Sequence, residues 1–575
     1  MMDKKTLLAF LLIALILMLT PYYYQKTNPP KPREEHEALK EVKDRYSETE
    51  TTAYPTKKII KQTPYDIQLG GPIEAVKEEV IIVSTPLYIA SISTIAGGSI
   101  KSFKLKEYVF NSGGLVNLVH EGINDRNLVV SFKTQEGETV FLNQNFLVSS
   151  YIIFSDTITV DFDDTKIDFK TEYAGQTITK TLTFHPESYV IDVDIDLTNI
   201  SRNNISQERL QINWNGGLPL TEKNQKDDVT YFAAHLYQGG ELSKHSGKPE
   251  KPLSGSGQTA WTAIRSKYFT SALISNGDGN FGSITMDPKN ILNNRIIVEP
   301  KYNMSIGFPS NKPITLSLYL GPLKYNYIKA LGVDLDKIMN FGWAFIKPIS
   351  HGILFLLTFM HKYIPNYGVL LIIFSVVVKI VVYPLTKKSY QSTKEMQALQ
   401  PLIASMREKF KGDPQRLNKE TMKLYKEHGV NPLGGCLPML LQMPLLFALF
   451  IIFRTTIELR GAPFIWWITD LSAPDTIYQF PPGFQIPIYG DQISLLPIFM
   501  GVSMFVQQKM MGTQSTGQQK YMMYFMTGFF LLLFNNFPSG LNLYYTLFNV
   551  LTILQQKYLV HPKQAEPSLK PLKSR

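Results

Sequence analysis

Residues 368–388 read GVLLIIFSVVVKIVVYPLTKK, an apolar run that one lysine, Lys379, interrupts near its middle. The length of the run suits a transmembrane helix, which needs about 20 apolar residues. In a span over residues 367–385, Lys379 would lie roughly 9 Å from one end, at 1.5 Å per residue. A lysine at the centre of a membrane helix costs about 2.5–3.5 kcal/mol, so its position needs a physical explanation.

Two explanations are open for this lysine. Its long stem could snorkel and lift the ammonium to the lipid headgroups, or the ammonium could enter a polar cavity among several helices. Ser375 lies four residues earlier and therefore on the same helical face. Other apolar runs carry candidate cavity residues, of which those in the last run recur at spacings of three and four: Gln442, Asn542, Tyr545, Asn549 and Thr552. This stripe predicts a wet interior, although hydrogen bonding between helices without a cavity would give the same pattern.

The rest of the 575-residue chain divides into unlike parts. Residues 1–24 predict an N-terminal transmembrane anchor, with a cleaved signal peptide as the alternative. Residues 25–68 are polar and proline-rich, which is typical of a flexible linker. A net charge of +10 fits either nucleic acid or an anionic membrane surface as partner, and a single cysteine excludes an intrachain disulfide.

Residues 69–324 have a repeat of two. The stretch YVIDVDIDL at 189–197 alternates acidic and apolar side chains, as a strand with one wet face does. About 250 residues of such runs predict a large antiparallel β-sandwich. Residues 325–350 then read as one amphipathic helix, which either lies on the membrane surface or closes off the sandwich.

Residues 351–560 contain five further apolar runs, and with the anchor they predict a polytopic α-helical membrane protein with six transmembrane helices. We expect Pro365 and Asn366 to break the first run into a surface helix and the span proper. The loop at 387–430 holds ten basic and five acidic residues, and the tail at 561–575 is also basic. Positive loops stay in the cytoplasm, so both termini are predicted to be cytoplasmic and the β-domain extracytoplasmic.

The basic loop at 387–430 is predicted to form a helical hairpin, with its second helix starting at Pro414 after a turn. Its first helix, kinked at Pro401, carries an apolar seam at spacings of three and four: Met396, Leu399, Ile403, Met406 and Phe410. The hairpin is either a solvated basic element or a docking surface for the ribosome or a nascent chain.

No phosphate-binding loop, HExxH motif or Cys/His cluster occurs in the sequence, so we expect no cofactor, no metal and no bond chemistry. A solute transporter remains an alternative function, because transporters also place polar residues in spans. A sugar-modifying or sugar-binding enzyme built on the β-domain is a second alternative. The histidines of that domain are scattered in the sequence, so we expect no acid–base pairing for them.

Several stretches of the sequence resemble the YidC/Oxa/Alb family of membrane protein insertases. They are YPLTKKSYQSTKEMQALQP (383–401), NPLGGCLPMLLQMPLLFALF (431–450), ELRGAPFIWWITDLSAPD (458–475) and FPSGLNLYY (537–545). The resemblance is specific over about residues 340–560. YLGPLKYNYIKALG (319–332), the anchor and the β-domain resemble the Gram-negative bacterial form, which has a large periplasmic domain.

The resemblance implies an insertase and chaperone of the inner membrane, which inserts, folds and assembles membrane proteins. It implies a five-helix core over residues 351–560 that encloses a hydrophilic groove, with a positive residue at Lys379, a polar one at Ser375 and a tyrosine at Tyr545. The implied partners are nascent membrane proteins, the Sec translocon (SecYEG with SecDF), the ribosome and the phospholipid bilayer, and no specific nucleic acid. Lysine stands where the family usually has arginine, which keeps the charge but loses the planar fork.

Overall fold

The computed structural model describes most of the chain between residues 77 and 559. The described ranges are 77–110, 113–120, 126–148, 157–197, 210–245, 252–286, 300–309, 312–430, 437–481, 483–510 and 517–559. The predicted anchor (1–24), linker (25–68) and basic tail (561–575) lie outside them.

The part of the chain before residue 323 is rich in β-strands. In chain order the strands are β1 (Val80–Ser84), β2 (Tyr88–Ser93), β3 (Ser99–Val109), β4 (Leu115–Asn117), β5 (Val129–Lys133), β6 (Thr139–Phe141), β7 (Leu147–Val148), β8 (Thr157–Thr159), β9 (Thr165–Tyr173), β10 (Gln176–Phe184), β11 (Val190–Asp196), β12 (Leu210–Trp214), β13 (Ala233–Gln238), β14 (Glu241–His245), β15 (Leu253–Ser256), β16 (Thr259–Arg265), β17 (Phe269–Ser275), β18 (Phe281–Met286), β19 (Tyr302–Phe308) and β20 (Ile314–Pro322). One short helix, α1 (Gln225–Tyr231), interrupts them.

These strands form three sheets, which together we call the β-rich domain. Their orders are β4-β3-β2-β1-β8, β14-β13-β16-β17-β20-β11-β10-β9-β7 and β15-β18-β19-β12-β5-β6. Neighbouring strands are antiparallel except β1 and β8, which pair in parallel. In β11 the alternating apolar residues Ile191, Val193 and Ile195 are at most 1% exposed, so the repeat of two identified a strand with one buried face.

The segment at 325–350 is not the single amphipathic helix that the sequence predicts. It contains α2 (Tyr325–Ala330), a 3₁₀ turn (Leu335–Ile338) and only the beginning of α3 (Lys347–His361). Gly332, Asp334 and Gly342 have φ angles of 69°, 60° and 88°, which an α-helix excludes. The apolar positions therefore divide: Leu335 packs into the core of the β-rich domain, whereas Phe341 packs with the helices that follow.

The C-terminal part of the chain is helical. Its helices are α4 (Tyr367–Ala398), α5 (Gln400–Lys409), α6 (Pro414–Glu427), α7 (Leu437–Thr455), α8 (Leu496–Met510), α9 (Gly517–Phe534) and α10 (Ser539–Leu554), which a π-helical turn (Gln555–Leu559) extends. The predicted break before the main span is confirmed, since the Asn366 side chain caps α4 by accepting from the Val369 N–H. The start of α6 at Pro414, capped by Asp413, is confirmed as well.

One described helical stretch, Tyr367–Lys387, is long and apolar enough to cross a membrane. Shorter apolar helical stretches are Gln442–Thr455 and Tyr524–Phe534. The predicted span over 367–385 coincides with the first of these stretches to within two residues, and α4 continues beyond it as one helix of 32 residues to Ala398. Pro384 lies inside it, and the chain passes directly from the apolar segment into the predicted hairpin.

The β-rich domain and the helices contact each other through the last turn of α7 and the segment that follows it. Ile457 is buried in the core of the β-rich domain. Arg460 Nε lies 2.8 Å from Glu222 Oε1, with both side chains at most 10% exposed. Arg454 pairs with Asp227, which also accepts from Lys267 Nζ at 2.8 Å. Arg454 in the last turn of α7, together with Ile457 and Arg460 after the helix, thus holds this part of the chain against the β-rich domain.

Candidate substrate groove

Lys379 points from α4 towards α10 and not towards the exposed side of its own helix. Its side chain is buried, and its Nζ donates a hydrogen bond of 2.6 Å to Thr552 Oγ1. The next two residues, Ile380 and Val381, are each 66% exposed. Since the apolar exposed face and the lysine lie on different sides of α4, the ammonium is held between helices, which disfavours snorkelling along the lipid face.

Two aromatic rings complete the surroundings of the ammonium. Lys379 Nζ lies 4.3 Å from the ring centroid of Phe548 and 5.7 Å from that of Tyr390. A cation above an aromatic face gains about 0.5–2 kcal/mol, depending on desolvation. Among the ion pairs formed by the described residues, none involves Lys379. The described residues therefore surround the charge with a hydroxyl and two rings and place no carboxylate within ion-pair distance of it.

Sequence reasoning did not identify the two rings. A signal was available for each of them. Phe548 precedes Thr552 by four residues, so it shares a helical face with it. Tyr390 follows Lys379 by eleven residues, which is close to three turns of 3.6 residues and returns to the same face of α4.

Ser375 and Thr552 direct their hydroxyl protons into their own helices. Ser375 Oγ donates to Leu371 O and Thr552 Oγ1 to Phe548 O, each at 2.7 Å. Both side chains are fully buried. Because the Thr552 proton is used in this way, its oxygen presents lone pairs to Lys379.

The remaining residues of the polar stripe contact other neighbours. Asn549 Nδ2 donates to Ser503 Oγ on α8 at 3.2 Å. Asn542 Nδ2 donates to Phe534 O at 3.1 Å, and the Tyr545 ring packs edge-on against the Phe534 ring at 5.9 Å.

The stripe therefore faces α4 at Thr552, the middle of α8 at Asn549 and the end of α9 at Asn542. Gln442 lies partly exposed on α7. Of the predicted residues, the structure brings Lys379 and Thr552 into direct contact, with Ser375 one turn earlier on α4.

Buried polar groups continue beyond Thr552. Both side-chain polar atoms of Gln555, and Nε2 of Gln556, are buried without a hydrogen-bond partner among the described residues. These glutamines follow Thr552 by three and four residues, so they extend its face by one turn into the π-helical segment. Buried polar side chains almost always have partners, and ordered water supplies them where protein does not. We call the polar side chains of α4 and α10 around Lys379 the candidate groove.

The predicted hairpin consists of the end of α4 with α5 and α6. Leu399 and Ile403 are buried together with Val430, and Met396 packs against them. Met406 and Phe410 are only partly buried, and Arg416 lies 5.3 Å from the Phe410 ring centroid. The predicted seam thus splits into three residues that hold the hairpin together and two nearer its tip. Gln397 Nε2 donates to Met510 O at 3.2 Å, which links the hairpin to the end of α8.

The described residues contain no group of three or more His, Cys, Asp or Glu side chains that could hold a metal ion. The functional groups that line the candidate groove are one cation, hydroxyls, amides and aromatic rings. Such a set can attract an anionic group and donate or accept hydrogen bonds.

Comparison with known proteins gives consistent relatives over both parts of the chain. A sequence model described as the YidC periplasmic domain matches residues 80–351, and one described as the 60Kd inner membrane protein matches residues 359–566. The protein named membrane protein insertase YidC from Chloroherpeton thalassium is 36% identical, over 98% of this chain and 97% of its own. The protein of the same name from Chlorobium luteolum is 35% identical, over 97% and 95%.

Among solved structures, an active YidC insertase crystal structure with its first transmembrane domain resolved matches with 19% identity and a TM-score of 0.36. The match covers 84% of this chain and 93% of that one.

Proposed function

The chain belongs to the YidC family of membrane protein insertases, and we propose that it inserts nascent membrane proteins through the candidate groove. The observation that carries the proposal is the ammonium of Lys379, which is held between α4 and α10 without a carboxylate among the described residues. A buried charge that lacks a counter-ion is costly unless water or a ligand reaches it. In an insertase, the acidic part of a substrate would be that ligand.

The groove would lower the barrier for the polar end of a substrate. Crossing hydrocarbon penalises every unpaired polar group, and a polar notch through half of the bilayer shortens that path. Lys379 would attract acidic side chains, while Thr552, Ser375 and the amides of α10 would exchange hydrogen bonds with the passing backbone. The net free energy comes from burying the apolar span of the substrate in lipid, at about 0.8 kcal/mol per CH₂ group.

Recognition by Lys379 would rest on charge more than on shape. A lysine ammonium is a compact point charge, whereas an arginine fork matches carboxylates in a bidentate manner. Two aromatic rings lie beside the ammonium, so an acidic group would approach it from the polar side, near Thr552. We therefore propose that substrates are selected by the presence of acidic residues in the translocated segment, with little dependence on the exact geometry of each carboxylate.

We further propose six membrane spans, formed by the anchor (1–24) and by α4, α7, α8, α9 and α10. Both termini would be cytoplasmic, and the linker (25–68) and the β-rich domain (69–324) periplasmic. The segment at 325–350 would follow at the outer surface, and the five-helix core (351–560) would lie in the inner membrane, followed by the basic tail (561–575). Exposed aromatic side chains support an interfacial position for helix α3: Phe355 and Phe359 lie on the helix, and Tyr363 follows its end.

The hairpin formed by the end of α4, α5 and α6 would be the cytoplasmic contact for the ribosome and the nascent chain. Met406 and Phe410 near its tip are partly exposed and stand among basic residues, as a surface that receives an anionic partner would. We propose the Sec translocon as a partner in the membrane. The solute-transporter alternative is not supported by any of these relatives, whose family performs insertion and is not an enzyme family.

An insertion assay with purified protein in vesicles tests the role of Lys379. Two single-span substrates that differ only in an acidic or a neutral tail would be compared for the parent protein, Lys379→Met, Lys379→Arg and the control Lys387→Met. A close charge pair near a protein surface is worth up to about 4 kcal/mol, and groove water weakens it. We therefore expect Lys379→Met to slow insertion of the acidic tail on the order of tenfold, or about 1.4 kcal/mol.

Lys379→Arg should retain insertion, because it keeps the charge, and Lys387→Met should leave it unchanged, because Lys387 is exposed at the end of the apolar stretch. The neutral tail should be insensitive to all three substitutions. Equal insertion of the acidic tail by the parent and Lys379→Met would remove the basis of the proposal.

A further inference from the structure

The chain between α7 and α8 carries an exposed apolar hairpin. Two short strands, β21 (Thr476–Gln479) and β22 (Gln492–Ser494), pair antiparallel. The sequence from 476 to 494, TIYQFPPGFQIPIYGDQIS, contains a single charged residue, Asp491. Five large apolar side chains of this hairpin are between 36% and 55% exposed: Ile477, Tyr478, Phe484, Ile486 and Ile488. A contiguous apolar patch on a protein surface indicates a binding face.

Hydrogen bonds to two asparagines hold the hairpin in place, so the exposure of its apolar side chains is a fixed feature of the structure. Asn535, fully buried between α9 and α10, donates to Tyr489 O and Gln492 O at 2.8 Å each. Its Oδ1 accepts from Ser494 N at 3.0 Å. Asn536 Nδ2 adds a bond of 2.9 Å to Tyr489 O. Through these hydrogen bonds, the two asparagines fix the C-terminal part of the hairpin.

The tip is shaped by aromatic packing. The rings of Tyr478 and Phe480 lie 5.8 Å apart, and those of Phe480 and Phe484 lie 5.3 Å apart, both edge-on. Backbone bonds from Phe480 N to Asp491 O, from Phe484 N to Pro481 O and in both directions between Ile486 and Gly490 pair part of the polar backbone of the tip internally. An element with apolar side chains and a partly paired backbone suits the boundary of a membrane, where headgroups and water still reach the remaining polar groups.

We propose that this hairpin lies in the outer leaflet, with its tip at the boundary between the headgroups and the acyl chains. It is continuous with the lipid-facing surface, since it begins after α7 and leads into α8, where Phe499 and Val502 are exposed as well. Trp466, 82% exposed, stands in the same connection. Tyrosine and tryptophan favour the membrane interface, phenylalanine favours its apolar side, and the near absence of charge lowers the cost of leaving water. The inference rests on the proposal above that α7 and α8 span the membrane.

Depth-dependent fluorescence tests this placement. In full-length protein with Cys436→Ser, the variants Phe484→Cys, Ile477→Cys and, as control, Phe162→Cys would be labelled with the environment-sensitive dye NBD and placed in phosphatidylcholine nanodiscs. Phe162 lies in the β-rich domain and is 91% exposed. We expect blue-shifted emission at 484 and 477, strong quenching by lipids that carry a shallow spin label, and weak quenching by iodide. The label at 162 should show the reverse behaviour.

Two results would overturn the proposal. Iodide quenching at 484 and 477 as strong as at 162 would show that the hairpin lies in water. Protection from iodide without quenching by spin-labelled lipid would show that protein, such as a second copy of the chain, covers it. Nanodiscs leave both membrane faces accessible, so neither result depends on the proposed orientation or on insertase activity.

Discussion

Replacing Arg460 by methionine probes the contact between the β-rich domain and the helical region. The Arg460 side chain donates to Glu222 Oε1 at 2.8 Å, to Val109 O at 3.1 Å and to Thr221 O at 3.4 Å. Methionine keeps part of the apolar stem but removes all three bonds and leaves the Glu222 carboxylate, 10% exposed, without its partner. Breaking a buried ion pair by removing one partner costs about 3–5 kcal/mol.

Hydrogen exchange followed by mass spectrometry measures this cost locally. In peptides that cover residues 457–462, a loss of about 3 kcal/mol in opening free energy corresponds to exchange faster by roughly two orders of magnitude. Glu222→Gln and the double variant complete a thermodynamic cycle, in which we expect the two effects to be strongly non-additive. Lys411→Met is the matched surface control, since its ion pair with Glu408 is 81% and 76% exposed and should contribute little.

The account of this interface would be refuted by unchanged exchange at 457–462 in Arg460→Met. It would equally be refuted if the single effects simply added in the double variant. Either result would mean that Ile457 and the Arg454–Asp227 pair hold the two parts together without Arg460.

Three further predictions concern pH, packing and the groove. Burial opposes the charged form of His185, but the carboxylates of Asp164 and Asp192, at 2.8 and 2.9 Å, outweigh it and raise the pKa of His185 above 6.5. The charged His185 therefore stabilises the fold fully below pH 6.5, and this stabilisation is lost as the pH rises through the folded-state pKa. The melting temperature of the parent protein should fall over this pH range. The same pH dependence of the melting temperature in His185→Asn would contradict the prediction. Gly368→Ala should lower the free energy of unfolding by about 1–3 kcal/mol, because its new Cβ would lie 1.9 Å from the Phe464 ring. In Gly528→Ala the new Cβ meets open space, so this control should not be destabilised. Equal melting temperatures of the two variants would contradict this packing. Thr552→Val removes the hydrogen-bond acceptor of Lys379 and should slow insertion of the acidic-tailed substrate but not of the neutral one, a selectivity that a purely structural role would not produce.

Local patterns in the sequence predicted the features that depend on local physics. The alternation in 189–197 is a strand because side chains in strands alternate between faces. Asn366 and Asp413 begin helices because their side chains accept from free N–H groups of the first turn.

The errors have physical causes that the local pattern does not contain. The apolar spacing at 325–350 suits one helix, but Asp334 and two glycines adopt left-handed backbone angles there, and the apolar side chains serve two cores. Helix α4 also continues through Pro384 to Ala398, a continuation that the apolar pattern, which ends near residue 387, does not contain.

In the candidate groove, the polar spacing identified Thr552 as a residue of the stripe. The rings of Phe548 and Tyr390 become neighbours of Lys379 only through the packing of α4 on α10. The direction of each polar side chain, towards α4 for Thr552 and towards α8 for Asn549, depends on the same packing.

The access of water to position 379 is the most direct test of the insertase mechanism. Single-cysteine variants at 379 and 380 in a Cys436→Ser background would be treated with a membrane-impermeant maleimide from the cytoplasmic side. Position 379 faces the candidate groove, whereas 380 lies at nearly the same depth on the lipid-facing side of α4, where Ile380 is 66% exposed. The account predicts rapid alkylation at 379, with little at 380. Equal lack of reaction at both positions would show a dry helix interface and would contradict it.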